Sequence, residues 1–370
     1  MKYMINIRNM AIMSTMMTFS HTSQASLALE KWDMQTRLDL PLHLKVWLAS
    51  MFVTHLFSIF FIKKHIGARW VLGSFIGSHI AEYLVQRGDD VTVLDNLNTG
   101  RKENLAKIND KINFVNGDIR DYKLLEKLVS DTAGVFHEAA LASVQDSFNM
   151  KDEYFDVNVN GTENIFKLAK EYGFKVVYAS SSSVYGNPKK IPIKESDDRK
   201  PINPYAQTKL DSEYLAKKYS DMGAHIIGLR YFNVFGKRQS KEYAGVIKLF
   251  LQRIQQKKSP KINGDGLQTR DFVHIDDVVK ANVLAMDSDI NHRFLNVGSG
   301  LPTSVLDLAN LIIEVSGLSL EPIHGPELSG DVKATQSDIK LIRKLLNWEP
   351  TYAGIEGFRQ GISQTIDWYS

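Results

Sequence analysis

Short apolar runs alternate with segments of helical spacing from residue 77 to about residue 180. The strand-like runs fall at 91–94, 112–115, 134–136 and 175–179, and the helix-like segments at 78–86, 124–129 and 157–172. Strands that alternate with helices form a parallel sheet, because each crossover helix returns the chain to the edge from which the next strand starts. The sequence therefore predicts an α/β fold, a doubly wound parallel sheet with helices on both faces.

Composition excludes several classes of function. The chain has 370 residues and a net charge of only +3, with Lys and Arg scattered among Asp and Glu, so we predict no nucleic-acid partner. The absence of cysteine excludes disulfides, thiolate catalysis and zinc sites built on Cys. The ten histidines show no spacing typical of metal ligands, and no metal site is predicted.

The first 66 residues are interpreted as an atypical extension, because they are rich in Met, Phe and Leu and lack the alternation that follows. The run 46–62 is flanked by lysines and, at 17 residues, is at the short limit for a membrane span. A buried or peripheral helix is the favoured interpretation, with a cytoplasmic protein as its consequence. Membrane association through 46–62 is the alternative.

Polar residues that directly follow the predicted strands are the first candidates for a binding site, since parallel sheets bind ligands beyond the carboxyl ends of their strands. These residues are Asp95, Asp118, His137 and the serines that begin at Ser180.

Tyr205 and Lys209 are four residues apart, which places them on one face of a helix. A cation near a tyrosine favours the phenolate and lowers the pKa of the phenol from about 10, as a general base requires. A serine hydroxyl from the cluster 180–183 could share the proton of a substrate. The sequence thus predicts proton-transfer chemistry at Tyr205.

A series of short motifs occurs in a characteristic order. The motifs lie at 75–79, 95–96, 117–119, 137–140, 158–162, 180–186, 204–209, 229–236, 264–273 and 296–298. In this order they resemble the extended short-chain dehydrogenase/reductase family, in particular its UDP-hexose 4-epimerases. The resemblance runs from about Ser74 to the end of the chain.

The resemblance implies a Rossmann-like NAD-binding domain over 67–235 and a smaller α/β lobe, mainly substrate-binding, over 236–370. Asp95 would accept hydrogen bonds from the adenosine ribose and disfavour a 2′-phosphate, so NAD is the implied cofactor. The implied cofactor-binding residues are Gly73, Phe75, Ile76, Gly77, Asp95, Asn96, Asp118, Ile119, Ala139, Ala140, Asn158, Tyr205, Lys209 and Tyr231.

The resemblance also implies the catalytic set Ser181, Tyr205 and Lys209. Hydride would pass from C4 of a UDP-hexose to NAD and return to the opposite face of the 4-keto sugar. The implied substrate-binding residues are Ser143, Ser181, Asn233, Val246, Arg270 and Thr335. Thr335 stands where a bulky residue would exclude an N-acetyl group, so both UDP-glucose and UDP-N-acetylglucosamine are candidate substrates. A homodimer is implied by the same resemblance.

Three features depart from the family pattern. Val71 and Ser74 stand at the first two glycine positions of the expected Gly-x-x-Gly-x-x-Gly loop, the segment 63–69 is a poor first strand, and Leu328 replaces an arginine expected to bind the diphosphate. A catalytically silent sugar-nucleotide-binding homologue is therefore an alternative. Another NDP-sugar dehydratase or reductase is the third interpretation, against which the run 180–185, without an acidic residue, argues.

Overall fold

A computed structural model describes residues 68–72, 75–129, 132–239, 245–327 and 332–369 of the chain. The predicted extension 1–66, including the run 46–62, lies outside the described residues. Within the described ranges, no helix is long and apolar enough to cross a membrane.

The described strands, in chain order, are β1 (Ala68–Leu72), β2 (Asp90–Asp95), β3 (Ile112–Asn116), β4 (Gly134–His137), β5 (Lys175–Ser181), β6 (His225–Tyr231), β7 (Asn233–Phe235), β8 (Lys261–Asn263), β9 (Thr269–His274), β10 (Arg293–Val297), β11 (Pro302–Ser304) and β12 (Ile323–Gly325). Seven of them form one sheet in the order β3-β2-β1-β4-β5-β6-β10, and all its neighbouring pairs are parallel. The first six have the order of a dinucleotide-binding sheet. The predicted doubly wound α/β fold is confirmed.

The described α-helices are α1 (Phe75–Arg87), α2 (Tyr122–Val129), α3 (Val144–Asn149), α4 (Lys151–Phe155), α5 (Thr162–Tyr172), α6 (Pro204–Asp221), α7 (Val246–Gln255), α8 (Ile275–Asp287), α9 (Val305–Ser316), α10 (Lys340–Leu346) and α11 (Gly354–Tyr369). Apolar residues of α1 and α8 cover one face of the large sheet, and those of α2, α5 and α6 cover the other. Both faces are therefore removed from water, as the apolar strands require.

The first strand differs from the sequence-based expectation. It begins at Ala68 and ends at Leu72, so the segment 63–69 supplies only its beginning. Val71 is fully buried in β1 and pairs with Val93 and Phe136, so it is an extended residue and not the first position of a glycine turn. The strain expected of a β-branched residue in that turn does not arise at Val71.

A charged residue lies inside this central strand. The Arg69 side chain is almost completely buried, and its guanidinium nitrogens lie 3.8 Å from carboxylate oxygens of Asp89 and Asp287. Arg87 contacts both of these carboxylates at 2.6 and 2.5 Å. The two acidic residues thus compensate the buried charge at the amino-terminal end of the sheet.

The smaller sheets belong mainly to the carboxy-terminal half. One has the order β11-β9-β7, and the other pairs β12 with β8. Helices α7, α9 and α11 pack their apolar faces into a separate core in this region. Residues after 235 also form β10, which belongs to the large sheet, and α8, which packs against that sheet. The chain therefore passes between the large sheet and the smaller sheets more than once. The boundary at residue 235 stays a prediction.

Candidate active site

A cleft lies at the carboxyl ends of the central strands. This is where the strand order reverses between β1 and β4, the usual position for ligands in such sheets. Eight of the predicted cofactor-binding residues line the cleft, namely Phe75, Ile76, Asp95, Asn96, Asp118, Ile119, Ala139 and Ala140. Gly77 lies in the first turn of α1 and is buried. Gly73 lies outside the described residues.

Asp95 ends β2 and points into a tight turn. Its Oδ1 accepts a hydrogen bond of 2.8 Å from the backbone N–H of Leu97. Burial raises the pKa of Asp95, and the hydrogen bond from Leu97 acts in the opposite direction. A Cβ at Gly100 would lie 2.2 Å from Asp95 Oδ2, so only glycine fits beside this carboxylate. The turn therefore holds an acidic group at the mouth of the cleft.

Side chains also connect the residues that follow β2 with those that follow β3. Asn96 Nδ2 donates a hydrogen bond of 3.0 Å to Asp118 Oδ2. Hydrogen bonds from the Arg120 guanidinium lower the pKa of Asp118 to about 2, so this carboxylate is ionised at neutral pH. Ile119 is buried, and a Cβ at Gly161 would lie 2.7 Å from its Cδ1. These contacts hold in place the part of the cleft wall that follows β2 and β3.

Helix α6 carries the predicted catalytic pair. Its first turn is capped by Asn203, whose Oδ1 accepts a hydrogen bond of 2.8 Å from Ala206 N, and Pro204 occupies the first helical position. Tyr205 thus lies in the first turn and Lys209 one turn later. The predicted helical spacing of this pair is confirmed.

Tyr205 lies near Ser181, the last residue of β5, whose hydroxyl acts to lower the Tyr205 pKa. The Ser183 hydroxyl donates a hydrogen bond of 2.9 Å to Ser181 Oγ. Burial raises the pKa of Tyr205 and outweighs the opposite effect of Ser181. Lys209 Nζ lies 5.9 Å from the centroid of the Tyr205 ring, but Lys209 is not among the groups that lower this pKa.

Lys209 is buried and points to the end of β5. Its Nζ donates a hydrogen bond of 2.8 Å to the carbonyl oxygen of Ala179. Burial lowers the pKa of Lys209 to about 8, and the nearby Glu138 carboxylate acts in the opposite direction. The ammonium is therefore close to its titration range at neutral pH.

Asn158 lies in a π-helical turn, Asp156–Gly161, that precedes α5. The sequence predicted one helix over 157–172; the wider turn is the difference, and such turns are frequent at functional sites. Asn158 Oδ1 accepts from Leu141 N at 2.8 Å, and Nδ2 donates to Leu141 O and to Thr208 Oγ1 at 2.9 and 3.0 Å. Its described contacts thus tie the loop after β4 to α6, and direct contact with a cofactor stays a prediction.

Glu138 is a site residue that the sequence analysis quoted in a motif but gave no role. It lines the cleft directly after β4, and its Oε1 accepts a hydrogen bond of 2.9 Å from the Tyr231 hydroxyl. Tyr231, predicted to bind the cofactor, is buried in β6. An acidic residue inside the apolar stretch 134–142 was the signal that could have revealed Glu138.

Three predicted substrate-binding residues meet at β9. Asn233 Nδ2 donates to Asp271 O at 3.0 Å, and Arg270 is the residue before Asp271 in β9. Thr335 N donates to Thr269 O at 3.1 Å. The Asp271 carboxylate accepts hydrogen bonds from the backbone and side chains of two loops, at Ser299 N and Oγ, Gly300 N, and Ser337 N and Oγ. This buried carboxylate, which the sequence analysis missed, assembles the predicted substrate end.

The other predicted substrate-binding residues lie elsewhere. Ser143 caps α3, and its Oγ accepts from Asp146 N at 3.2 Å. Val246 begins α7 and packs against the core of the smaller lobe. No described contact joins these two residues to the group at β9. Leu328 lies outside the described residues.

The family model of the NAD dependent epimerase/dehydratase family matches residues 71–298. This chain belongs to that family. The sequence-based identification is confirmed, and NAD is the family's cofactor. Among the described residues, no group of three His, Asp or Glu side chains could hold a metal ion.

Known members of the epimerase/dehydratase family are similar over most of the chain. A putative UDP-glucose 4-epimerase of Methanocaldococcus jannaschii is 40% identical over 299 residues, which cover 80% of this chain and 95% of the relative. The UDP-glucose 4-epimerase of Thermotoga maritima, crystallised with UDP-glucose, is 33% identical with a TM-score of 0.77, over 82% of this chain and 98% of that one. The UDP-N-acetylglucosamine 4-epimerase of Methanobrevibacter ruminantium, in complex with UDP-N-acetylmuramic acid, is 34% identical, with the same TM-score and coverage.

The cleft fits the cofactor of the epimerase/dehydratase family. Asp95 offers a carboxylate at the end of β2, where a ribose hydroxyl is bound in sheets of this order. Glu138 Oε2 is buried in the cleft wall and has no hydrogen-bond partner among the described residues. Two acceptors of this kind suit the hydroxyl and amide donors that a dinucleotide carries.

Proposed function

We propose that this chain catalyses the NAD-dependent 4-epimerisation of a UDP-hexose. The observation that carries the proposal is the approach of Tyr205, in the first turn of α6, to Ser181 at the end of β5, with Lys209 one helical turn away. This set lies at the same edge of the sheet as the dinucleotide cleft. The similarity to 4-epimerases over four fifths of the chain supports the same activity.

The residues of the chain would handle the proton of the reaction. Tyr205 would take the proton from the 4-hydroxyl of the sugar, and the nearby Ser181 hydroxyl would share it. The Lys209 ammonium would stabilise the phenolate formed on Tyr205. Bound NAD would supply the hydride acceptor at C4 and the hydride donor for the return step. Returning the proton from Tyr205 to the sugar restores the enzyme, so no net redox change occurs.

The substrate end would bind the nucleotide diphosphate and the sugar. Asn233, Arg270 and Thr335 are brought together at β9, where the Arg270 guanidinium suits a phosphate and the small Thr335 leaves room for an N-acetyl group. We infer that UDP-glucose and UDP-N-acetylglucosamine are both substrates. One relative named for each sugar supports this inference.

Two alternatives are less well supported. A silent homologue would not need Tyr205, Lys209 and Ser181 together at this edge of the sheet, where all three are present. A 4,6-dehydratase would need an acidic residue near the catalytic serine for its second step, and the segment 180–185 has none.

The test uses the purified full chain with each UDP-sugar in turn. Bound NAD is measured by mass spectrometry, and conversion of UDP-glucose and of UDP-N-acetylglucosamine by chromatography. We expect conversion of both sugars and a loss of at least 10²-fold in Tyr205→Phe, since general acid–base catalysis contributes about 10² to 10⁴ in rate. A 4-keto product that accumulates would instead identify a dehydratase or reductase, and bound NAD without any conversion would identify a silent homologue.

We also propose a homodimer through α3, α4 and α6. Exposed apolar side chains lie on all three helices, with Phe148, Phe155 and Tyr214 each about half exposed. An apolar surface of this kind is typical of a subunit interface. Light scattering on the full chain should give twice the mass of the monomer, and Phe155→Asp should reduce it. A monomeric wild-type chain would contradict the proposal.

A further inference from the structure

Glu138 is a partly buried acidic residue in the wall of the dinucleotide cleft. Its Oε1 accepts a hydrogen bond from Tyr231, whereas Oε2 is buried and has no partner among the described residues. A buried carboxylate oxygen without a hydrogen bond costs free energy, and native proteins retain few such groups. An oxygen of this kind in a ligand cleft indicates a binding partner that completes it.

The orientation of the carboxylate is fixed by a chain of hydrogen bonds. The Tyr231 hydroxyl donates to Glu138 Oε1 and accepts from Asn282 Nδ2 at 2.8 Å. Asn282 Nδ2 is in turn held by the carbonyl oxygen of Val278 at 2.9 Å, inside α8. This chain leaves Oε2 as the oxygen that is free to accept a further bond.

Two neighbouring groups, Tyr231 and Lys209, favour the ionised form of Glu138. Burial raises its pKa to about 7, and the Tyr231 hydrogen bond and the Lys209 ammonium act in the opposite direction. A donor placed against Oε2 would favour the ionised carboxylate in the same way. A hydrogen bond to Oε2 would therefore favour the ionised form of Glu138.

We propose that Glu138 is a cofactor-binding residue whose Oε2 accepts a hydrogen bond from a hydroxyl or amide donor of bound NAD. The inference deepens the proposed function, because it rests on NAD as the cofactor and assigns a contact at the Lys209 end of the cleft. A carboxylate accepts such bonds more strongly than a neutral oxygen does.

The test compares Glu138→Gln with the wild-type chain. Glutamine keeps the volume and one oxygen for Tyr231, but it directs an NH₂ group at the cofactor donor. We expect the Kd for NAD, measured by calorimetry on protein stripped of cofactor, to rise at least tenfold. The melting temperature of the NAD-free variant should not fall, because glutamine keeps an oxygen for Tyr231 and removes the carboxylate oxygen that has no hydrogen-bond partner among the described residues. If the cofactor cannot be stripped, the NAD retained per protomer replaces the Kd.

Glu321→Gln is the matched control, since Glu321 is exposed and lies outside the lining of the dinucleotide cleft. Its Kd for NAD should stay within twofold of the wild-type value. Should Glu138→Gln fail to fold, Glu138→Asp carries the test, because it keeps the charge but shortens the reach to the cofactor. A Kd within twofold of wild type in the folded variant would overturn the inference. A wild-type chain that binds NAD but converts no UDP-hexose would refute the proposed function and leave this inference standing.

Discussion

Lys209 Nζ lies 2.8 Å from the carbonyl oxygen of Ala179, which joins α6 to the end of β5 two residues before Ser181. The bond holds the buried ammonium one helical turn from Tyr205, which is partly buried. It thereby links the pair on the helix to the serine on the strand.

Replacing Lys209 by Met removes this ammonium with little change in side-chain volume. We expect kcat to fall by about 10²-fold, the usual cost of losing one electrostatic contact to a reacting group. Steady-state conversion of UDP-glucose measures the effect. Lys218→Met, an exposed substitution on the same helix, is the control and should keep wild-type kcat. Equal rates for the two variants would contradict the role of Lys209.

The pKa of Lys209 predicts the alkaline limb of the pH profile. The pKa is lowered to about 8, so the ammonium is lost as the pH rises through that value. Activity should therefore decline as the pH rises above 8, where Glu138, with a pKa of about 7, is already ionised and the pKa of Tyr205 is still higher. The measurement is kcat against pH from 6 to 10. A flat profile through pH 9 would show that the charge of Lys209 is not needed.

Ser181 and Ser183 offer a matched pair of substitutions. Ser181 lies near Tyr205 and acts to lower its pKa, whereas the Ser183 hydroxyl donates to Ser181 at 2.9 Å. Ser181→Ala should lower kcat by about 10²-fold, since it removes the group that shares the proton, and Ser183→Ala by much less. Both variants are assayed with retained NAD as the control for folding. The reverse order of effects would make Ser183 the catalytic serine.

Glu213 joins α6 to the large sheet. Its carboxylate is fully buried and accepts from Arg230 Nε at 2.7 Å, Arg230 Nη2 at 2.8 Å and Ser180 Oγ at 2.6 Å. Glu213→Gln leaves the Arg230 charge uncompensated, and we expect the free energy of unfolding to drop by about 3 to 5 kcal/mol. Denaturant unfolding is the measurement. Asp221→Asn, which breaks an exposed pair with Lys217, is the control and should leave the free energy of unfolding unchanged within the error of the measurement.

His137 should make the fold sensitive to acid. Burial lowers its pKa in the folded state to about 3, below the ordinary 6.5, and Lys209 adds to the shift. The unfolded chain therefore binds the proton first, so this contribution to stability is present above pH 6.5 and is lost as the pH falls.

His137→Asn removes the titration and keeps a polar partner for Thr162, which lies 2.8 Å from His137 Nε2. Between pH 6.5 and 5 the variant should lose about 1.5 kcal/mol less than the wild-type chain. Denaturant unfolding at the two pH values measures both losses. Equal losses in the two proteins would show that His137 does not titrate in this way.

Local patterns in the sequence determined the fold class and the placement of Tyr205 and Lys209. The alternation of apolar runs and helical spacing gave the parallel sheet, because side-chain periodicity reports directly which backbone can bury an apolar face. The spacing of Tyr205 and Lys209 placed both on one face of α6 for the same reason. The ends of the strands, read from the same pattern, gave Asp95 and Asp118.

Contacts between distant segments were decided only by the tertiary structure. Val71 is a strand residue because β1 inserts between β2 and β4, a placement that no local pattern reports. Glu138 meets Tyr231, 93 residues later, because β4 and β6 end at the same edge of the sheet. The order of strands decides which residues become neighbours, and burial then shifts the pKa values of those residues. Sequence periodicity carries neither quantity, so the environments of Glu138, Tyr205 and Lys209 required the folded chain.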